Sequence, residues 1–231
     1  MFKLFAALRL FAALRLIAAA AALVAVTATF LDTGSREAIN PFNFFGFFTM
    51  QGNIFAAAVF AVAAVAGLSS GPRSRGLEIA RGCAVTYMVI VGLVYNLLLA
   101  GLPGGVDLPW ANGILHVVIP IYATLDWLLL GDRGPLPWNR FWIVFVYPLA
   151  WVGVVLVRGA TDGWVPYPFL DPQTGYGTVS IYVVAIAVGI GVVGALAWTA
   201  SRLRIVETEG YRRADAPAPA LQRNWTGSPG A

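Results

Sequence analysis

The sequence predicts an all-α fold: a polytopic membrane bundle of six transmembrane helices with both termini cytoplasmic. Three observations carry that expectation. First, 59% of the 231 residues are hydrophobic and only 11% are charged, with a mean hydropathy of +0.76. A soluble globular domain carries roughly a quarter charged residues, so this chain lacks the polar surface to cover itself in water. Second, six apolar runs reach the length of about 18 residues that crosses hydrocarbon: 10–31, 44–67, 83–100, 111–130, 141–158 and 178–200. Third, the basic residues sort by side once these runs are threaded. Thirteen of the 15 fall on one face and only Arg36 and Arg158 on the other, which by the positive-inside rule places both termini in the cytoplasm.

The breaks between runs are polar or rich in Gly and Pro, as turns between spans should be. Ahead of the first run "LFAALR" occurs twice, at 4–9 and 10–15. A six-residue step turns a helix by about 600°, so the copies fall on different faces; the repeat reads either as a basic amphipathic lead-in or as a plain duplication or misplaced start. A basic start before an apolar run also fits a cleaved leader, which would leave five helices. The second run contains "FFGFFTMQGNIF" (44–55), with Thr49, Gln51 and Asn53 inside it. The third ends near Tyr95 and Asn96. The fourth carries Asn112, His116 and Pro120 at intervals of four; Pro120 has no N–H, so a carbonyl one turn back loses its partner and the helix can kink. Deeper in that run lies Asp126, expected either to pair with Arg133 or Arg140 near the inner surface or to form a separate polar site. The fifth run ends at Arg158. In the sixth, Gly189, Gly191 and Gly194 suit close helix packing. The loop "GWVPYPFLDPQTGYG" is stiffened by three prolines and reads either as a cap over the outer end or as an interfacial aromatic belt; Asp162 and Asp171 in it are placed to reach His116 or Arg158. The domain is expected over 1–205, with a disordered cytoplasmic tail over 206–231.

Composition excludes several chemistries. Cys83 is the sole cysteine and His116 the sole histidine, so neither an internal disulfide nor a multi-histidine or cysteine-rich metal site is available. There is no phosphate-binding loop, dinucleotide fingerprint or GxSxG elbow, and no cofactor is expected. The basic excess follows topology, which makes the membrane and a lipid the expected partners and not nucleic acid.

The odd residues gather at one depth. Helix two enters from outside near Phe44, so Thr49 lies roughly 8 Å in. His116 enters helix four to a similar depth, and Tyr95 and Asn96 leave helix three there. A hydroxyl is a poor nucleophile without a base, and histidine is the usual base near neutral pH. Thr49 and His116 would supply that pair, with Asn53, Asn96 or Arg158 binding substrate or stabilising an oxyanion. The pattern suits hydrolysis of a lipid ester. Two other classes fit the same residues: a carrier or channel with Asp126 as proton relay, and a scaffold whose polar groups only join helices.

The segments "FFGFFTMQGNIF", "LHVVIPIYATLDWLL", "RGPLPW", "YPLAW" and "RGATDGWVPYPFLDPQTGYG" resemble, in order over roughly 40–200, the bacterial six-helix membrane family called Pr-six-Pr. That family is similar to the animal androgen-induced and androgen-dependent regulator proteins, integral membrane threonine hydrolases of fatty acid esters of hydroxy fatty acids. The resemblance implies that Thr49 of "FFT" is a nucleophile, that His116 of "LHVVIP" is the second essential residue, and that the chain sits in a bacterial inner membrane.

Overall fold

The structure is a computed structural model that describes residues 2–69, 74–102, 108–130 and 132–203, with side chains from residue 9 onward. The tail expected over 206–231 lies outside the described residues. Six helical stretches are long and apolar enough to cross a membrane: Arg9–Arg36, Phe48–Leu68, Arg75–Leu99, Pro109–Leu129, Trp138–Thr161 and Tyr176–Ala200. The architecture is therefore the all-α, multi-pass bundle that hydropathy predicts, with no strand among the described residues. Its α-helices are α1 (Phe2–Arg36), α2 (Pro41–Phe44), α3 (Phe48–Leu68), α4 (Arg75–Val94), α5 (Pro109–Gly113), α6 (Ile119–Leu129), α7 (Ile143–Thr161) and α8 (Tyr176–Ala200). A π-helical turn, Tyr95–Leu99, extends α4, and a second, Ile114–Val118, joins α5 to α6.

Two spans start well away from the apolar runs that mark them. The second begins at Phe48 and not at 44, because the Asn40 side chain accepts from Phe42 N–H at 2.9 Å and caps the separate helix α2. The chain then turns at Gly46, where an added Cβ would lie 2.4 Å from the Trp164 ring. The third begins at Arg75 and not at 83. Hydropathy misses its first two turns because Glu78 and Arg81 are charged, yet both are buried.

Lipid, not water, is the solvent that the outer faces match. On α1, Leu10, Ile17, Val24 and Leu31 recur every seven residues and are all more than half exposed. The opposite face presents Ala18, Ala19, Ala22 and Ala25, buried together with Ala56, Ala57, Ala63 and Ala64 of α3. Small residues let two backbones approach closely where no hydrophobic effect drives helices together. The central helix is α4, which packs on α3, α6, α7 and α8. The expected close packing of α8 is present at two of its glycines: a Cβ at Gly191 would meet Phe145 at 3.3 Å, and one at Gly194 would meet Phe141 at 3.2 Å.

The starts of α1 and α4 and the end of α6 meet in a buried charge cluster. Arg15 of α1 donates to Asp126 at 2.7 and 3.2 Å and to Asp132 at 2.7 and 3.0 Å. Arg81 of α4 donates to the same carboxylates at 3.3 and 2.9 Å and pairs with Glu78 at 3.5 Å. This corrects the expected pairing of Asp126: its partners are Arg15 and Arg81. Arg133 instead lies over the Trp127 ring at 4.2 Å and donates to the carbonyls of Leu130 and Ala200, and Arg140 is not in the cluster. The two "LFAALR" copies do fall on different faces of one continuous helix: Arg9 is exposed, whereas Arg15 is 1% exposed.

Prolines inside the spans leave carbonyls that a neighbouring helix must satisfy, since hydrocarbon offers no donor. Pro148 in α7 frees the carbonyl of Val144, which accepts from the Tyr87 hydroxyl of α4 at 3.0 Å. The same device recurs at the other end of the bundle.

Candidate active site

Thr49 sits in the first turn of α3, behind the N-cap Phe47, which has no side-chain acceptor for the first-turn amides. Those N–H groups lack intrahelical partners. One is met from the loop between α7 and α8: Thr49 N–H donates to the Tyr167 hydroxyl oxygen at 3.4 Å. The Thr49 side chain is buried and faces His116, with Oγ1 3.3 Å from Nε2.

His116 occupies the π turn Ile114–Val118, an irregularity found often at functional sites. Its Nδ1 lies 3.2 Å from the carbonyl oxygen of Asn112. A carbonyl only accepts, so Nδ1 carries the proton and Nε2 is left as the acceptor toward the Thr49 hydroxyl. Tyr95 stacks on the imidazole with ring centroids 3.8 Å apart and planes 20° off parallel. The amide of Asn112 donates to the Tyr95 hydroxyl at 2.5 Å, which fixes the stacking ring. Gly92 lets α4 pass close to this turn: a Cβ there would lie 3.1 Å from Pro120 and 3.4 Å from the His116 carbonyl oxygen.

Asn53 and Asn96 converge on the same place, and there their amides serve the backbone. Pro120 lacks the N–H that would serve the carbonyl of His116 in an α turn or of Leu115 in a π turn. Asn53 donates to the Leu115 carbonyl at 3.3 Å and to that of Thr49 at 2.9 Å. Asn96 donates to the His116 carbonyl at 3.4 Å and to that of Gly92 at 2.8 Å. Both amide groups therefore face backbone carbonyls with both of their hydrogens, and they brace the turn that carries the histidine. Arg158 stands apart. Its guanidinium pairs with Asp162 at 2.7 Å, donates to Asn43 at 2.8 Å and lies 4.3 Å over the Trp164 ring. The Asp162 carboxyl titrates below its ordinary range, first because Trp164 N–H donates to it and second because Arg158 does. Asp171 caps its own turn through Gln173 N–H at 2.9 Å and does not reach His116. Gln51 turns away from the pair, donating to the Phe45 carbonyl and accepting from the Tyr147 hydroxyl of α7.

The aromatic loop closes over this end. Tyr167 and Leu170 are buried, and Trp164 packs edge-on against Phe47. An apolar cavity of about 80 Å³ lies between α3, α4, α7, α8 and the loop, with Thr49, Tyr95 and Tyr167 in its wall among aliphatic and aromatic side chains. Among the described residues no group of three or more His, Cys, Asp or Glu is placed to hold a metal ion. No protein-family model, no curated protein and no solved structure matches the chain.

Sequence reasoning put Thr49, His116, Tyr95 and Asn96 at one depth, and the structure brings them into contact. It missed the place of Tyr167 beside the nucleophile candidate. The only signal was a tyrosine held between two prolines in "VPYPF", and nothing in the spacing says which way such a loop folds.

Proposed function

We propose that this protein is an integral membrane hydrolase of lipid esters, with Thr49 as nucleophile and His116 as general base, and that it belongs to the bacterial Pr-six-Pr family, which is distantly similar to the animal threonine hydrolases. One observation carries the reading: the buried Thr49 hydroxyl lies 3.3 Å from His116 Nε2 while Nδ1 is held on the Asn112 carbonyl. A nucleophile within hydrogen-bond reach of a base that a third group orients is the signature of covalent catalysis. Here a backbone carbonyl takes the place of the usual carboxylate.

In the reaction, Thr49 Oγ bonds to the ester carbonyl carbon as its proton passes to His116 Nε2. The carbonyl electron pair moves onto oxygen, then returns as the bond to the alcohol oxygen breaks, and that oxygen takes the proton from His116. Water attacks the acyl-threonine in the same way, giving up a proton to His116, and Thr49 leaves with that proton restored. The net change is ester plus water to acid plus alcohol. The apolar cavity beside Thr49 supports an acyl chain as the group bound, and its position among the spans supports a substrate that partitions into the bilayer. The charge asymmetry supports cytoplasmic termini in a bacterial inner membrane, with the site near the extracytoplasmic face.

The test is labelling by an alkyl fluorophosphonate, together with cleavage of a fatty acid ester of a hydroxy fatty acid, by the full chain purified in detergent. Thr49→Ala abolishes both and His116→Ala lowers both by several orders of magnitude, while each variant elutes as a folded, monodisperse protein. Undiminished labelling and cleavage by Thr49→Ala ends the assignment.

A further inference from the structure

An acyl transfer needs a donor at the developing oxyanion, and the three residues that sequence spacing suggests for this are engaged. Asn53 and Asn96 face backbone carbonyls, and Arg158 is held by Asp162, Asn43 and Trp164. We propose that the hydroxyl of Tyr167 is that donor: a further catalytic residue, delivered to Thr49 by the loop between α7 and α8. The proposal rests on the reading of Thr49 as nucleophile.

Four observations point to it. Tyr167 is 8% exposed, and its ring is held by Phe47 at 5.7 Å, Trp151 at 5.9 Å and a stacked Phe169 at 5.3 Å between centroids. Its oxygen accepts from Thr49 N–H at 3.4 Å and lies against the Phe48 amide and the Thr49 hydroxyl. Among the described residues no backbone carbonyl or carboxylate accepts its proton; the neighbouring acceptor is the Thr49 hydroxyl oxygen, and as that oxygen bonds to the ester carbon the O–H can turn to the developing oxyanion. It shares the wall of one cavity with Thr49, where the carbonyl of a bound ester would sit.

The arrangement has a chemical logic. The first-turn amides of α3 carry the positive end of a helix dipole. They point at the phenol oxygen, and accepting from them polarises the O–H outward, as chained hydrogen bonds strengthen one another. When Thr49 Oγ bonds to the carbonyl carbon, the electron pair that moves onto the carbonyl oxygen meets this O–H. Tyr167 keeps its proton throughout and donates only a hydrogen bond, which is released as the carbonyl re-forms.

The experiment measures kcat and KM on the hydroxy-fatty-acid ester, and the rate of fluorophosphonate labelling, for the full chain, Tyr167→Phe, Thr49→Ala and a chain bearing 3,5-difluorotyrosine at 167. Loss of one oxyanion donor costs about 100-fold or more in kcat. Tyr167→Phe is expected to show that loss with KM little changed, and to label correspondingly slowly. Difluorotyrosine keeps the ring and hydroxyl but is more acidic, so the alkaline limb of the pH–rate profile moves to lower pH. It also decides the matter should Tyr167→Phe not fold. The proposal is overturned if Tyr167→Phe reacts within about threefold of the parent or faster (a phenol that merely occupied the donor site would give the latter), or if the difluorotyrosine profile does not move, while Thr49→Ala is inactive. If Thr49→Ala itself reacts like the parent, the reading beneath the proposal fails instead.

Discussion

Replacing Arg15 by Met should cost this bundle more stability than any substitution of an exposed arginine, and the structure sets the size. The side chain is 1% exposed and makes four hydrogen bonds to two carboxylates that are themselves buried. Without it, Asp126 and Asp132 lose the cation that bridges them through four hydrogen bonds and keep the longer or single contacts of Arg81, at 3.3 and 2.9 Å. Removing one member of a buried ion pair costs about 3–5 kcal/mol, because the other charge stays buried and underpaired. For a chain of this size each kcal/mol moves the midpoint by about 2–4 °C, so Arg15→Met lowers it by roughly 6–20 °C. The reference is Arg36→Met. Arg36 pairs with Asp32 across one helical turn with its side chain 47% exposed, and such pairs are worth about 0–1 kcal/mol. Thermal unfolding of both variants in one detergent, followed by loss of the monodisperse elution peak, makes the comparison. Adding Asp126→Asn to Arg15→Met should recover part of the loss, because it removes a charge left underpaired. Equal midpoints for Arg15→Met and Arg36→Met would refute the claim that the cluster holds α1, α4 and α6 together.

Three further outcomes follow from other contacts. Asn53→Ala leaves the Leu115 carbonyl unmet and should cost about 1–3 kcal/mol; in a Pro120→Ala background the restored N–H serves that carbonyl, so a double-mutant cycle by thermal unfolding should show the penalty shrink. Tyr87→Phe should cost about 1–3 kcal/mol for the same reason at the Val144 carbonyl, and Pro148→Ala should relieve it in the same assay. Gly46→Ala puts a Cβ 2.4 Å from the Trp164 ring and 2.8 Å from the Phe42 carbonyl oxygen; the loop must give way, which limited proteolysis detects as faster cleavage within 162–175 and fluorophosphonate labelling detects as a slower reaction.

The spans were legible because crossing hydrocarbon demands length and apolarity, and both are local properties of a sequence. The shared depth of Thr49 and His116 was legible for a related reason: counting residues from an interface gives height. Rotation about each helix axis is not local. Nothing near Asp126 says that its partner is Arg15, 111 residues away, when Arg133 is close in sequence. The same blindness hid the partners of Asn53 and Asn96. Whether an amide faces a substrate or a carbonyl depends on which carbonyls Pro120 has freed, and so on a π turn that no residue pattern announces. The early start of α4 was hidden because Glu78 and Arg81 look like loop residues until their partners are in place.

The fourth span holds one residue more between Ile114 and Val118 than an ordinary helix would. A π turn takes up its extra residue by widening locally, so excising one residue there would let an ordinary turn close while the helix on either side stays near its register. The segment from Pro120 down to Asp126 would keep its register, and with it the grip on Arg15 and Arg81. What would be lost is the local bulge that turns the imidazole toward the Thr49 hydroxyl, so one surplus residue shapes the upper part of this span without touching what anchors the lower.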